Sequence, residues 1–167
     1  VSAVFTTSAK YTVQLKIDTQ VVAGKTVTFK VKGQTYQVKT DSKGFASISV
    51  KLPAGKYTVT AEYKGVKVTN KITFKHIIVA KNQNVKKSAK SKKITVKLNK
   101  VNGKILKGKK VVLKFQGKKY KAKTNKKGVA KFTLKKKVYS KLKVGKKYKY
   151  TVTYGKDKVT KRIKIKK

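Results

Sequence analysis

The chain has 167 residues, of which 48 are Lys or Arg and four are Asp or Glu, so its formal net charge is +44. It contains no cysteine, which excludes a disulfide framework, thiolate metal sites and thiol catalysis. It also lacks the run of about 18 apolar residues that a membrane-spanning helix needs, and its charge favours acidic partners such as nucleic acid, wall polymers, anionic lipid or acidic glycans.

The first 76 residues alternate apolar and polar side chains with a period of two, which is typical of strands that bury one face. The first such run places Val13, Leu15 and Ile17 on one buried face. The apolar positions that follow are Val27, Phe29, Val31, Tyr36, Val38, Ile48, Val50, Tyr57, Val59, Ala61, Tyr63, Ile72 and Phe74. Gly33 and Gly44 interrupt the runs where a hairpin needs a positive φ. The pattern predicts about six or seven short strands and no helix.

The rest of the chain repeats this pattern. Six residues return at a constant shift of 84, which marks an internal duplication. They are Gly24, Gly33, Tyr36, Thr40, Gly44 and Ala46, which recur as Gly108, Gly117, Tyr120, Thr124, Gly128 and Ala130. The buried positions expected in this second copy are Ile94, Val96, Leu98, Val111, Leu113, Phe115, Tyr120, Ala122, Ala130, Phe132, Leu134, Tyr148, Tyr150, Val152, Tyr154, Ile163 and Ile165. The positions between them are mostly Lys, so the two copies differ chiefly on their surfaces.

Short strands separated by frequent turns predict an all-β chain built from two tandem Ig-like antiparallel β-sandwich domains. An SH3-like or OB barrel is the main competitor, and it fits two tandem copies of about seven strands less well. We expect one domain at residues 1–76 and a strongly Lys-rich one at residues 77–167. Val13 aligns with Val96 at a shift of 83, so the strand expected at 77–80 has no counterpart in the first copy. We therefore expect that domain to lack its first strand, either because the strand precedes residue 1 or because a neighbouring subunit donates it.

The charge is distributed unevenly between the copies. Residues 1–76 hold 13 lysines against three acids, a balance of +10, whereas residues 77–167 hold 35 Lys or Arg against one acid, a balance of +34. Arg162 is the one arginine. The guanidinium of arginine donates two hydrogen bonds at once to phosphate or guanine, whereas the ammonium of lysine acts as a hydrated point charge. The composition therefore disfavours sequence-specific nucleic-acid readout and indicates selection for a cationic surface.

Both copies contain the string G-K-x-V-x-F/L-K-x-x-G-x-x-Y-x-x-K-T-[DN]-x-K-G-x-A. The string resembles the Ig-like repeats of adhesin-like cell-surface proteins, best known from methanogenic archaea, and the resemblance covers nearly the whole chain. The matching residues are Gly24, Val27, Phe29, Gly33, Tyr36, Thr40, Asp41, Gly44, Ala46, Pro53, Gly55, Tyr57, Val59 and Tyr63, with Asn125 in place of Asp41 in the second copy. Such repeats form stalks on the cell envelope, so the resemblance implies an extracellular chain at the cell surface or cell wall.

Groups that perform catalysis or bind metals are scarce. The chain has one His and four carboxylates, so we expect neither an enzyme nor a metal or cofactor site. Asp18, Asp41 and Asp157 are expected in turns, and Glu62 on a solvent face. His76 is expected to be a hinge residue between the domains.

The densest cluster of cations surrounds an expansion of the second copy at residues 135–145. Tyr139 lies in this loop and is expected to be exposed. The clustered residues are Lys135, Lys136, Lys137, Lys141, Lys143, Lys146, Lys147 and Lys149. We expect them to bind an anionic cell-wall or surface polymer, with an affinity that falls with salt. The alternative is a solvated Lys face that blocks edge-to-edge aggregation.

Three functions are compatible with these patterns. The first is a non-enzymatic surface module, in which the first domain is a stalk spacer and the second binds an anionic envelope polymer. The second is a basic protein that binds nucleic acid non-specifically. The third is a filament subunit that assembles through strand addition to a neighbouring subunit.

Overall fold

In a computed structural model, which describes residues 2–4 and 7–167, the chain divides into two compact units, Val1–Lys75 and His76–Lys167. Helical structure in these described residues amounts to one 3-10 turn, Lys136–Val138. No helix there is long and apolar enough to cross a membrane. The prediction of an all-β chain is confirmed.

The first unit consists of two sheets and a short hairpin. Its strands are β1 (Ser2–Val4), β2 (Ala9–Gln14), β3 (Lys16–Ile17), β4 (Gln20–Val21), β5 (Thr26–Val31), β6 (Gln34–Lys39), β7 (Phe45–Val50), β8 (Gly55–Tyr63) and β9 (Val66–Lys75). Five of them form a sheet in the order β1-β9-β8-β5-β6, β2 pairs with β7, and β3 pairs with β4. The pairing of β1 with β9 is parallel and the other pairings are antiparallel.

The two larger sheets of the first unit pack face to face. In β5, Val27, Phe29 and Val31 are buried while the residues between them face outward. The Tyr11 ring, on β2, meets the Phe29 ring edge-on with 6.0 Å between the ring centroids. Burial of one such large side chain contributes about 1.5–3 kcal/mol to stability. The alternating sequence therefore produces a β-sandwich, because each sheet has one apolar face to cover.

The second unit has the same architecture. Its strands are β10 (Ile78–Val79), β11 (Gln83–Lys86), β12 (Ser91–Leu98), β13 (Lys110–Phe115), β14 (Lys118–Lys123), β15 (Val129–Lys135), β16 (Lys147–Tyr154) and β17 (Asp157–Lys166). One sheet has the order β11-β17-β16-β13-β14 and the other the order β10-β12-β15. The pairing of β11 with β17 is parallel, like that of β1 with β9. Each unit is thus an Ig-like sandwich.

The units differ at the edge of the smaller sheet. In the second unit β10 pairs antiparallel with β12, and Ile77 and Ile78 are buried. In the described part of the first unit no strand covers the corresponding edge of β2, so that sheet has two strands rather than three.

Two polar residues, Thr40 and Asp41, stabilise the connection between β6 and β7. Thr40 is buried; its hydroxyl donates to the Val22 carbonyl at 2.7 Å and accepts from the Lys25 amide at 3.0 Å. Thr124 repeats both contacts in the second unit. Asp41 Oδ1 accepts from the amides of Lys43 and Phe45, both at 2.9 Å.

At the position of Asp41 the second unit carries Asn125, whose Oδ1 makes the same two contacts. The exchange is tolerated because the turn needs a side-chain oxygen and not a charge. Gly44, which closes this turn, has φ +73°, and a Cβ there would lie 2.8 Å from the Leu15 carbonyl oxygen. The glycine is therefore required both by its backbone conformation and by lack of space.

Three sequence-based predictions are wrong. Ile17 is 50% exposed, because β3 leaves the sandwich to pair with β4. Tyr139 is fully buried, and its hydroxyl donates to the Ala89 carbonyl at 2.7 Å, because the expanded loop folds back onto the sandwich. Asp157 does not lie in an exposed turn; it is the first residue of β17 and is buried.

Asp157 fastens the start of the second unit to β17. Its Oδ2 accepts from the backbone amides of Ile77 at 2.8 Å and Ile78 at 3.0 Å. Its Oδ1 lies 2.6 Å from Nδ1 of His76, whose ring is half-exposed. These donors replace the water that a buried carboxylate loses.

Replacing Asp157 with Ala should destabilise the second unit by about 1–3 kcal/mol, because two buried amides lose their acceptor. Hydrogen exchange of the full chain should show the largest acceleration at the amides of Ile77 and Ile78. Asp157→Asn keeps an oxygen acceptor and should lose less.

The control is Glu62→Ala, which removes a partly exposed carboxylate that lies 3.8 Å from the Lys67 ammonium. It should change the unfolding free energy by less than about 0.5 kcal/mol. Equal losses in the two Ala variants would contradict the role given to Asp157.

Candidate polyanion-binding face

The outward face of the five-stranded sheet in the second unit carries a dense array of cations. In β13, Val111, Leu113 and Phe115 point into the core, so Lys110 and Lys114 point outward. The register of the neighbouring strands extends this face across the sheet. Its cations are Lys86, Lys110, Lys114, Lys119, Lys121, Lys123, Lys147, Lys149, Lys158, Arg162, Lys164 and Lys166. All of them are exposed, and we call this surface the cationic face.

The cationic face places like charges directly opposite each other on neighbouring strands. Four pairs do so between antiparallel strands, namely Lys110 with Lys123, Lys114 with Lys119, Lys147 with Lys164, and Lys149 with Arg162, and Lys86 with Lys166 do so between the parallel strands β11 and β17. Directly opposed like charges destabilise a sheet. The Cβ atoms of directly opposed residues lie about 5 Å apart, so the charges that these side chains carry repel each other across the sheet. The folded unit therefore carries a repulsion that a bound anion would relieve.

The first unit does not have this repulsion at the same positions. The equivalents of the four antiparallel pairs are Thr26 with Lys39, Lys30 with Thr35, Lys56 with Thr73, and Thr58 with Lys71. Each pair sets one lysine against one threonine. The first unit also pairs Glu62 with Lys67, where the second pairs Thr153 with Lys158. Because the two units share one architecture, the opposed cations are not a requirement of the fold.

The other sheet of the second unit also avoids opposed cations. Its outward pairs are Ser91 with Lys135, Lys93 with Thr133, Thr95 with Lys131, and Lys97 with Val129. Each lysine on this sheet thus faces a hydroxyl or an aliphatic side chain rather than another cation. The like-charge pairs among the paired strands of this unit are concentrated on the cationic face.

Two recesses lie on the cationic face. One is lined by Lys114, Lys119, Lys149 and Lys158 together with the hydroxyls of Thr151 and Thr153. The other is lined by Asn82, Gln83, Asn84, Lys147, Arg162 and Lys164. Ammonium groups beside hydroxyl or amide donors suit phosphate, sulfate or carboxylate groups, which accept hydrogen bonds from both.

The sequence-predicted cluster is divided by the fold. Lys147 and Lys149 lie on β16 and belong to the cationic face. Lys135 ends β15, on the other sheet, and Lys136 and Lys137 form the 3-10 turn. Lys141, Lys143 and Lys146 lie in the irregular segment before β16. All eight are exposed.

Sequence reasoning missed most of the cationic face because it measured charge density along the chain. The available signal was the spacing of lysines at every second position. Lys119, Lys121 and Lys123 show it in β14, and Lys164 and Lys166 show it in β17. That spacing places the charges on one face, but the pairing of strands was needed to show that they oppose one another.

Among the described residues no group of three or more Asp, Glu or His could hold a metal ion. Burial raises the pKa of Tyr150 to about 12, and its hydroxyl donates to the Lys81 carbonyl at 2.5 Å. This phenol therefore stays neutral at physiological pH and acts as a structural hydrogen-bond donor.

No protein-family model matches the sequence, and no curated protein matches it significantly. Among solved structures, a tandem from titin matches with 12% identity and a TM-score of 0.42, covering 99% of this chain and 62% of that one. A Ca²⁺-stabilised adhesin of an Antarctic bacterium matches with 16% identity and a TM-score of 0.33, covering 96% of this chain and 44% of that one. Domains 4 and 5 of an S-layer protein match with 15% identity and a TM-score of 0.33, covering 87% of this chain and 73% of that one. The chain spans less than two thirds of the first two structures, and similarities this low carry no argument about function.

Replacing Lys119 with Thr, the residue found at the equivalent Thr35, should stabilise the second unit. Removing the repulsion between Lys119 and Lys114 should add about 0.2–1 kcal/mol at low salt. The gain should shrink as salt screens the charges. Hydrogen exchange at the amides of β13 and β14 in the full chain measures it.

The matched control is Lys93→Thr, which removes the same charge from a lysine that faces Thr133. A gain common to both variants would report on net charge alone. If Lys119→Thr gains no more than Lys93→Thr, the opposed pairs do not strain the sheet.

Proposed function

We propose that the chain is a non-enzymatic module of the cell surface whose second unit binds an anionic envelope polymer through the cationic face. The observation that carries this proposal is the set of four like-charge pairs between antiparallel strands, at positions where the first unit sets Lys against Thr. A surface that loses stability through such pairs gains it back when an acidic ligand lies across them. The first unit, with a balance of +10, serves as the stalk spacer.

The dimensions of the face suit a polymer rather than a small anion. Five strands about 4.8 Å apart, with up to ten residues each, cover roughly 20 by 30 Å. A chain lying across this area meets many cations at once and releases its condensed counterions. Affinity then comes from the number of contacts rather than from a single deep pocket.

The type of cation favours a ligand recognised by charge. Eleven of the twelve cations on the face are Lys, and Arg162 is the exception. Lysine binds acidic groups as a point charge and reads base edges poorly. The resemblance of the sequence to surface repeats supports an acidic polymer outside the cell, at the surface or in the wall, over nucleic acid.

A fourfold variant that gives the face the first unit's residues tests the proposal. It carries Lys110→Thr, Lys119→Thr, Lys149→Thr and Lys164→Thr, so each of the four antiparallel pairs loses one charge. Binding to heparin and to polyglutamate, measured from low to high salt, should weaken strongly. The slope of log K against log salt should become shallower by nearly one for each lysine that contacted the polymer.

Two variants with the same loss of charge serve as controls. One carries Lys93→Thr, Lys97→Thr, Lys131→Thr and Lys135→Thr on the other sheet, and should bind nearly as well as the unaltered protein. The second carries Lys136→Thr, Lys137→Thr, Lys141→Thr and Lys143→Thr in the loop cluster.

Weaker binding by the loop variant alone would show that the polymer binds at that cluster instead. Equal weakening by all three would show that net charge, not the face, binds the polymer, and tighter binding to duplex DNA than to either polymer at physiological salt would favour the nucleic-acid function.

A further inference from the structure

The cations of the cationic face follow a narrow path across the sheet. Directly opposed residues define rows that cross the strands, and successive outward rows lie about 6.7 Å apart, since each is two residues further along every strand. Of the twelve cations that the described strands place on this face, eleven form a path through six successive rows, which we call the track. From the β11 edge to the β14 edge its rows are Lys86 with Lys166, Lys164 with Lys147, Arg162 with Lys149, Lys114 with Lys119, Lys121 alone, and Lys110 with Lys123.

The track is continuous, long and narrow. Its first three rows lie on β11, β17 and β16, and its last three lie on β13 and β14. Lys149 and Lys114 join the two parts: Lys114 is directly opposite Thr151, so Lys149 is its diagonal neighbour, about 7–8 Å away. The six rows span roughly 35 Å, while each row occupies at most two strands about 4.8 Å apart. These proportions match one extended chain.

Beside the track the same sheet carries little charge. On the interior strands β17, β16 and β13, the outward residues off the track are Thr160, Thr151, Thr153, Val112 and Lys158. Lys158 shares a row with Lys121 but stands three strands away from it, and it lies about 12 Å from Lys114. It is therefore the one cation among the twelve that a chain on the track would pass by.

Comparison of the two units separates the track from its surroundings. Four positions of this sheet are threonine in the first unit and lysine in the second, and all four lie on the track. Thr26, Thr35, Thr58 and Thr73 correspond to Lys110, Lys119, Lys149 and Lys164. Off the track the threonines are unchanged: Thr60 faces Thr69 in the first unit, and Thr151 faces Thr160 in the second. The lysines that replace threonine thus follow one line across the sheet.

We propose, building on the proposed function, that the ligand of the cationic face is a single linear chain of anionic groups that lies extended along the track and meets its six rows in turn. A flat anionic surface would meet Lys158 as readily as Lys114. A chain on the track meets Lys114 near its middle and leaves Lys158 beyond a Debye length, which is about 8 Å at physiological ionic strength. The two lysines therefore distinguish a chain from a surface.

Oligoglutamates of about four to about twenty residues are the probes. An extended polypeptide advances about 3.3–3.6 Å per residue, so about ten residues cover the track. Affinity for the full chain, measured by titration calorimetry at about 0.15 M salt, should rise steeply up to that length. It should rise only slowly beyond it, because further residues find no new row of cations.

Three variants locate the path of an oligomer of about ten residues. Lys114→Thr should weaken its binding about three- to fivefold at about 0.15 M salt, the loss expected when one contact that releases a counterion disappears. Lys158→Thr removes the same charge from the same face and should weaken binding less than about 1.5-fold. The double variant Lys114→Thr with Thr160→Lys keeps the net charge but moves a cation off the track, to a position that faces Thr151. It should bind as weakly as Lys114→Thr alone.

Three outcomes would overturn the track. The first is equal weakening by Lys114→Thr and Lys158→Thr, and the second is restored binding in the double variant, since either would show that the ligand responds to the charge of the whole face. The third is affinity that keeps rising as steeply well beyond about ten residues. The fourfold variant described above separates this proposal from the proposed function. If that variant binds weakly while Lys114→Thr and Lys158→Thr are equal, the face binds the polymer and only the track is wrong; if it binds normally, the face is not the site.

Discussion

Directly opposed cations on one sheet are the constraint that distinguishes the second unit from the first. Each such pair works against strand pairing, and the core beneath them must offset that cost. The core does so with large aliphatic and aromatic side chains, among which Leu113, Phe115, Tyr150 and Ile163 are at most 1% exposed. The first unit achieves the same fold with lysines spaced by threonines. The difference between the units therefore lies in the charges of the outer surface, while the inner surface remains a common scaffold.

The sequence predicted the scaffold well because the scaffold is encoded locally. A period of two marks a strand with one buried face wherever it occurs, and Gly33 and Gly44 mark turns by their backbone freedom. Prediction failed where tertiary context decides. Ile17 follows the period-two apolar pattern, but it lies on a hairpin that leaves the sandwich. Tyr139 lies in a polar loop that folds back over the core. Asp157 looked like a turn residue because the amides that it accepts from lie about eighty positions earlier in the chain.

The candidate site was harder to predict than the fold for a related reason. Charge density along the chain pointed to residues 135–149, where lysines are consecutive or nearly so. Repulsion across a sheet depends on which residues face each other, and Lys110 and Lys123, or Lys147 and Lys164, are 13 and 17 positions apart and face each other only once their hairpins form in register. Comparison of the two copies supplies what a single copy lacks. Where one unit has a lysine and the other has a threonine at the equivalent position, the fold does not require the positive charge. Such positions identify the charges that belong to the surface of one unit alone.

Asp157 has a consequence for how such molecules crowd together. The second unit has one acidic side chain, and the fold directs it inward against the amides of Ile77 and Ile78. Its exterior therefore offers no carboxylate side chain with which a lysine of an adjacent copy could form an ion pair. Copies anchored side by side on an acidic layer would be drawn down onto it while pushing one another apart. They would be evenly distributed rather than clustered. The distance between neighbouring copies would shorten as the ionic strength of the medium rises.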